Sequence, residues 1–120
     1  MLERLSNLPK EIIGFRATGT VIASDVEKSL ADLAGSEGTI DAKGLAVVVD
    51  RDFDGYFAEL ARGMAHASSA YKSLEKLAVV VDADRMGEAR PSSFDGTAAN
   101  VRLFATPDRT AAFAWVAGSS

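Results

Sequence analysis

Hydrophobic residues in this chain follow three rhythms, and each predicts a different kind of element. In the first, apolar residues run without a break through Leu45–Val49 and again through Leu77–Val81. Each run ends on an aspartate, so LAVVVD occurs twice. Runs this short and this rich in valine predict strands. The lack of alternation predicts strands covered on both faces, as in a parallel sheet between helices. The copies start at Leu45 and Leu77, an interval of 32 residues that holds one strand, one helix and two short turns. That is the size of a βαβ unit, whose crossover is nearly always right-handed. Both runs are therefore expected to lie parallel and adjacent, with their acidic ends at one sheet edge.

The second rhythm is helical. In SDVEKSLADLAG, Val26, Leu30 and Leu33 fall on one face, Ser24 and Glu27 stand at capping-box spacing, and Gly35 supplies a left-handed stop. From Tyr56 to about Lys72, the residues Phe57, Leu60, Ala61, Met64 and Tyr71 form one stripe. Glu59, Arg62 and His66 fall opposite, which predicts a second helix with Asp54 as its N-cap. A last helix is expected after Thr106 as cap, with Pro107 in its first turn, Ala112, Trp115 and Val116 inward and Gly118 at its end. The third rhythm is that of exposed strands. EIIGFRATGTV, residues 11–21, predicts a strand, with Leu2, Leu5 and Leu8 before Pro9 as a short strand folded back on it. NVRLF alternates as a partly exposed strand, and residues 83–97 predict a broken helix and loop.

Composition narrows the classes. A chain of 120 residues with no linker or low-complexity tract is read as one domain, residues 1–120. The net charge of -4 and the scattered Lys and Arg give no basic surface to neutralise phosphates, so nucleic acid is excluded as a partner. Without cysteine there is no disulfide, thiolate metal site or cysteine nucleophile. The N-terminal residues carry early charges and no long apolar run, and no stretch approaches the ~20 apolar residues of a spanning helix, so a cytoplasmic location is expected.

Four patterns offer chemistry. Asp50-Arg51-Asp52-Phe53-Asp54-Gly55 matches the opening of a calcium-binding EF-hand loop, but the twelfth position is Ala61 where a bidentate glutamate is required, and a strand precedes it. DFDG after an apolar strand is similar to haloacid-dehalogenase phosphatases. Here Asp50 and Arg51 intervene, and Tyr56 stands where a hydroxyl residue is needed. VVVDADRMGEA resembles the D-x-D-R-x-G-E stretch of Toprim domains, through Asp82, Asp84, Arg85, Gly87 and Glu88. That likeness implies the main enzymatic alternative, a magnesium-dependent phosphotransfer site on Asp50, Asp82 and Asp84. His66, the only histidine, falls on the solvent side of its predicted helix. Carboxylates at the exit of a buried strand also have an ordinary role. They face water, and near a helix N-terminus they cap amides and complement the dipole. Asp52 and Asp54 are placed to do so, and we therefore assign no catalytic residue, metal or cofactor.

The chain as a whole resembles the SpoIIAA-like proteins, a bacterial family with a STAS-like fold. The likeness rests on MLERLSNLP, IIGFRATGTVIASDVEK, DRDFDGY, LEKLAVVVDADR and VRLFATPDRTAAFAWVAG. It implies an α/β fold, a mixed, mostly parallel sheet of four to five strands packed with helices. It also implies a non-enzymatic binding or regulatory module. In phosphorylated STAS antagonists a serine follows the central strand. Here DFDGYFAEL has no Ser or Thr between Asp50 and Glu59, so that switch is not carried over. The family is similar in fold to the CRAL-TRIO lipid carriers, which implies a small apolar or lipid-like ligand, a lipid surface or a protein partner. Phe53, Tyr56 and Phe57 at one strand–helix junction are the expected contacts, and Met86 and Phe94 the expected lid, because pockets favour the carboxyl ends of parallel strands. A homodimer through NVRLF is a further expectation.

Overall fold

The computed structural model describes residues 2–5, 8, 12–34, 43–54, 57–66, 74–85, 87 and 100–118. Five strands form one sheet in the order β1-β2-β3-β4-β5. They are β1 (Leu2–Arg4), β2 (Ile12–Ala17), β3 (Gly44–Val49), β4 (Lys76–Val81) and β5 (Asn100–Ala105). β1 folds back antiparallel on β2, and every other pair is parallel. The two LAVVVD copies lie side by side in matched register, Leu45 opposite Leu77 and Val48 opposite Val80. Valines suit this position because a branched side chain fits the pleated surface and loses little freedom there.

Alternation divides each strand between two layers. Ile13, Phe15, Ala17, Leu45, Val47, Val49, Leu77, Val79 and Val81 face one side. There they meet α1 (Ala23–Ala34) and α2 (Phe57–His66) through Val26, Leu30, Phe57, Leu60 and Met64. Ile12, Ala46, Val48, Ala78, Val80 and Phe104 face the other side and meet Ala112 and Val116 of α3 (Arg109–Val116). Each fully buried leucine, such as Leu30, Leu45, Leu60 or Leu77, contributes about 1.5–3 kcal/mol by leaving water.

Two glycines set how closely the layers approach. A Cβ on Gly63 would lie 2.5 Å from Val26 Cβ and 2.6 Å from the Ala23 carbonyl, so α1 and α2 touch backbone to backbone there. A Cβ on Gly44 would strike the Val116 side chain and lie 2.7 Å from its carbonyl oxygen. That glycine lets α3 rest directly on β3.

Several local expectations shift. The strand expected over residues 11–21 ends at Ala17, and Gly19 turns the chain with φ 60°. Helix α1 begins at Ala23, so Ser24 lies inside its first turn, and the back-reaching carboxylate is Asp25, which accepts from the Ile22 amide at 3.1 Å. Thr106 does not cap the last helix. It opens a 3-10 turn, Thr106–Asp108, and its hydroxyl donates to Asp82 instead. Ala112 and Val116 are buried as expected, whereas Trp115 is half-buried. Gly118, with φ 91°, ends α3 and donates its amide to the Trp115 carbonyl. After β4, residues Ala83–Arg85 form a 3-10 turn. The expected stop at Gly35, the stretch beyond His66 with Tyr71 and Lys72, and most of 86–99 lie outside the described residues.

Candidate functional site

The carboxyl ends of β2, β3, β4 and β5 share one edge, and a belt of side-chain bonds runs along it. One step past Val49, the alternation turns Asp50 toward the face on which Arg16 stands. Arg16 Nε donates to Asp50 Oδ2 at 2.7 Å, its Nη2 pairs with the same oxygen, and the Arg51 amide donates to Asp50 Oδ1 at 2.6 Å. The hydrogen bond from Arg16, then that from the Arg51 amide, holds the Asp50 carboxyl below its ordinary value. The same contact raises Arg16 in return.

Asp82 repeats the arrangement with different donors. The Thr106 hydroxyl donates to its Oδ1 at 2.6 Å, and Arg51 Nε stands 3.3 Å from its Oδ2. Asp54 accepts from the Thr20 hydroxyl, and its amide donates to the Gly19 carbonyl. Asp54 was expected to cap α2, and residues 55 and 56, which join it to that helix, lie outside the described residues. Both oxygens of Asp50 and both of Asp82 thus have protein donors. A cation at this edge would have to displace two arginines and a hydroxyl. Asp84 stands exposed on the 3-10 turn, and among the described residues no three His, Asp or Glu side chains gather as a metal site. The arrangement suits strand exits fastened to their neighbours.

The aromatic part of the edge lies on the opposite side, toward α1 and α2. Phe53 and Phe57 are buried at 2% and 4% exposure, with ring centroids 5.5 Å apart and a tilted geometry. Arg85, from the turn after β4, lies across both, its guanidinium carbon 5.5 Å from the Phe53 ring and 5.1 Å from the Phe57 ring. It also donates to the Phe53 carbonyl at 2.5 Å. Of the five residues expected to form a ligand site, the structure brings Phe53 and Phe57 together inside the core. Tyr56, Met86 and Phe94 lie outside the described residues. His66 ends α2, and its side chain also lies outside them.

The sequence alone assigns no role to Arg16 or Arg51, and it offers Arg85 and Thr106 for other roles, a Toprim-like stretch and a helix cap. One signal was present: Arg16 is the lone charge inside an apolar strand and needs a partner. That partner is 34 residues away, and only strand register reveals it. Among the described residues, no helix is long and apolar enough to cross a membrane.

A five-stranded, mostly parallel sheet with two helices on one face and one on the other is the architecture of the STAS-like α/β class. The family model described as SpoIIAA-like matches residues 12–117, and the chain belongs to that family. No curated protein matches it.

Proposed function

We propose that this chain is a non-enzymatic, STAS-type binding module that takes a small apolar or lipid-like molecule at the carboxyl edge of its sheet. Phe53 and Phe57 form the floor, and Tyr56, Met86 and Phe94 complete the contact. Family membership supports the regulatory class. The observation that carries the ligand reading is Arg85. A single long side chain, drawn from the neighbouring strand's exit turn, lies over two aromatic rings. Displacing that turn uncovers apolar surface without unpicking the sheet.

Among the described residues, the interior beneath α1 and α2 has no room for such a molecule. The enclosed apolar cavity lined by Leu2, Phe15, Val26, Leu30, Val47, Leu60 and Met64 measures about 10 Å³, room for roughly one water. The engaged oxygens of Asp50 and Asp82 support a module without metal-assisted chemistry.

The test is native mass spectrometry of gently purified protein, followed by solvent extraction. The expected result is a bound apolar molecule that Phe57→Ala releases, with Phe57→Leu retaining part of it. A protein that arrives empty and fails to take up an acyl-chain fluorophore contradicts the ligand reading.

A further inference from the structure

The exposed side of α3 carries a second, independent surface. Its two half-buried aromatics, Phe113 and Trp115, point to opposite sides of the helix, and each has a cation on its ring. The Arg109 guanidinium carbon lies 5.5 Å from the Phe113 ring, and Lys76 Nζ lies 5.2 Å from the Trp115 ring. Lys76 also donates to the Trp115 carbonyl at 3.0 Å. Beyond Trp115 the stack continues through Phe104, centroids 5.8 Å apart, to Arg102, 4.9 Å from the Phe104 ring. Arg102 and Arg109 are exposed and form no ion pair among the described residues. Between the flanks α3 shows only short side chains, Thr110, Ala111 and Ala114, so a partner backbone can come close.

From these observations we infer that this face docks an acidic amphipathic helix of another protein. Aromatic rings and arginines are the residues that carry binding energy in protein interfaces, and guanidinium forks match carboxylates. The patch is cationic on a chain of net charge -4, which marks the complementary charge as negative. A second copy fits poorly, because a two-fold contact through α3 would set Arg102 and Arg109 of one chain against those of the other. A bilayer fits poorly too, since the exposed residues between the rings are Thr110 and alanines, with little apolar area to insert. This inference does not depend on the ligand reading, which concerns another edge of the sheet.

The test places a photoreactive phenylalanine analogue at Ala114 of the full chain, with Asp32 on α1 as the reference position. Cross-linking is done in the cells that make the protein, and the joined peptides are sequenced. The expected product is a peptide of one other protein, acidic and apolar at helical spacing, enriched about tenfold over the Asp32 position. An Arg102→Glu, Arg109→Glu double variant with unchanged thermal unfolding should lose it. Peptides of this chain, lipid adducts, neutral or basic peptides, no enrichment, or a product that survives the charge reversal would each overturn the inference. The sole tryptophan, Trp115, gives a second readout. A synthetic form of the sequenced peptide should shift its emission at low salt and lose that effect at high salt, and an emission that stays constant at low salt would also overturn it.

Discussion

The two faces of the sheet are built from the same repeated strand yet differ in thickness. LAVVVD sends its leucine and two of its valines to one side and its alanine and remaining valine to the other. The first side receives two helices and, among the described residues, buries more than twice as many apolar side chains as the second. The second receives one helix of eight residues, seated close because Gly44, Ala46, Ala78 and Ala112 leave little standing between α3 and the strands. The thick face holds the fold together, and its aromatic pair stays inside. The thin face leaves rings and cations at the surface. The deeper packing and the surface-exposed aromatics of α3 thus fall on different sides of one sheet.

Breaking the thick face should cost most. Leu60→Ala is expected to lose about 3 kcal/mol in urea unfolding, as buried leucines do when a cavity remains. Val80→Ala, on the thin face, removes two methyl groups and should lose about 1.5–2 kcal/mol. Equal losses would mean that the second layer carries more of the stability than its packing suggests. Gly44→Ala sharpens the contrast by overpacking one layer alone. It should cost about 1–3 kcal/mol and strip amide-exchange protection from α3 while α1 and α2 keep theirs; loss spread evenly would make the two layers one cooperative unit. Arg85→Met keeps the stem over Phe53 and Phe57 but removes the charge, with an expected cost of about 0.5–1 kcal/mol and faster uptake of an acyl-chain fluorophore. Slower uptake would deny Arg85 its covering role.

The smallest effect is a pH dependence. Asp50 titrates below its ordinary value of 3.8 because Arg16 and the Arg51 amide stabilise the anion. Its contribution to stability is therefore fully present above that value and is lost as pH falls through the lowered one. Asp50→Asn should be less stable than the wild type at neutral pH, and the gap should close in acid. A gap that persists at the lowest pH, where the carboxyl is protonated, would assign the effect to packing.

The strands and their pairing were legible in the sequence because the repeat and its 32-residue spacing leave few alternatives to a βαβ unit. The carboxyl edge was legible in position and less so in content. Phe53 and Phe57 could be placed at the junction, but not Arg85 across them, since that contact spans 32 residues. Thr106 has the residue type and the following proline of a helix cap. Its hydroxyl went to Asp82 because β5 delivers it beside that carboxylate, a tertiary choice that local propensity does not encode. The capping pair at α1 missed for a smaller reason. The helix starts two residues early, and Asp25 is the side chain that then reaches the amide of Ile22.

The account turns on the twin acidic tips being fastened exits with no vacancy for an ion. Calorimetric titration of the purified chain with magnesium and then manganese addresses this directly. We expect no saturable heat for either ion, in the wild type and in Asp82→Asn alike. A saturable heat in the wild type that Asp50→Asn and Asp82→Asn both abolish would contradict it.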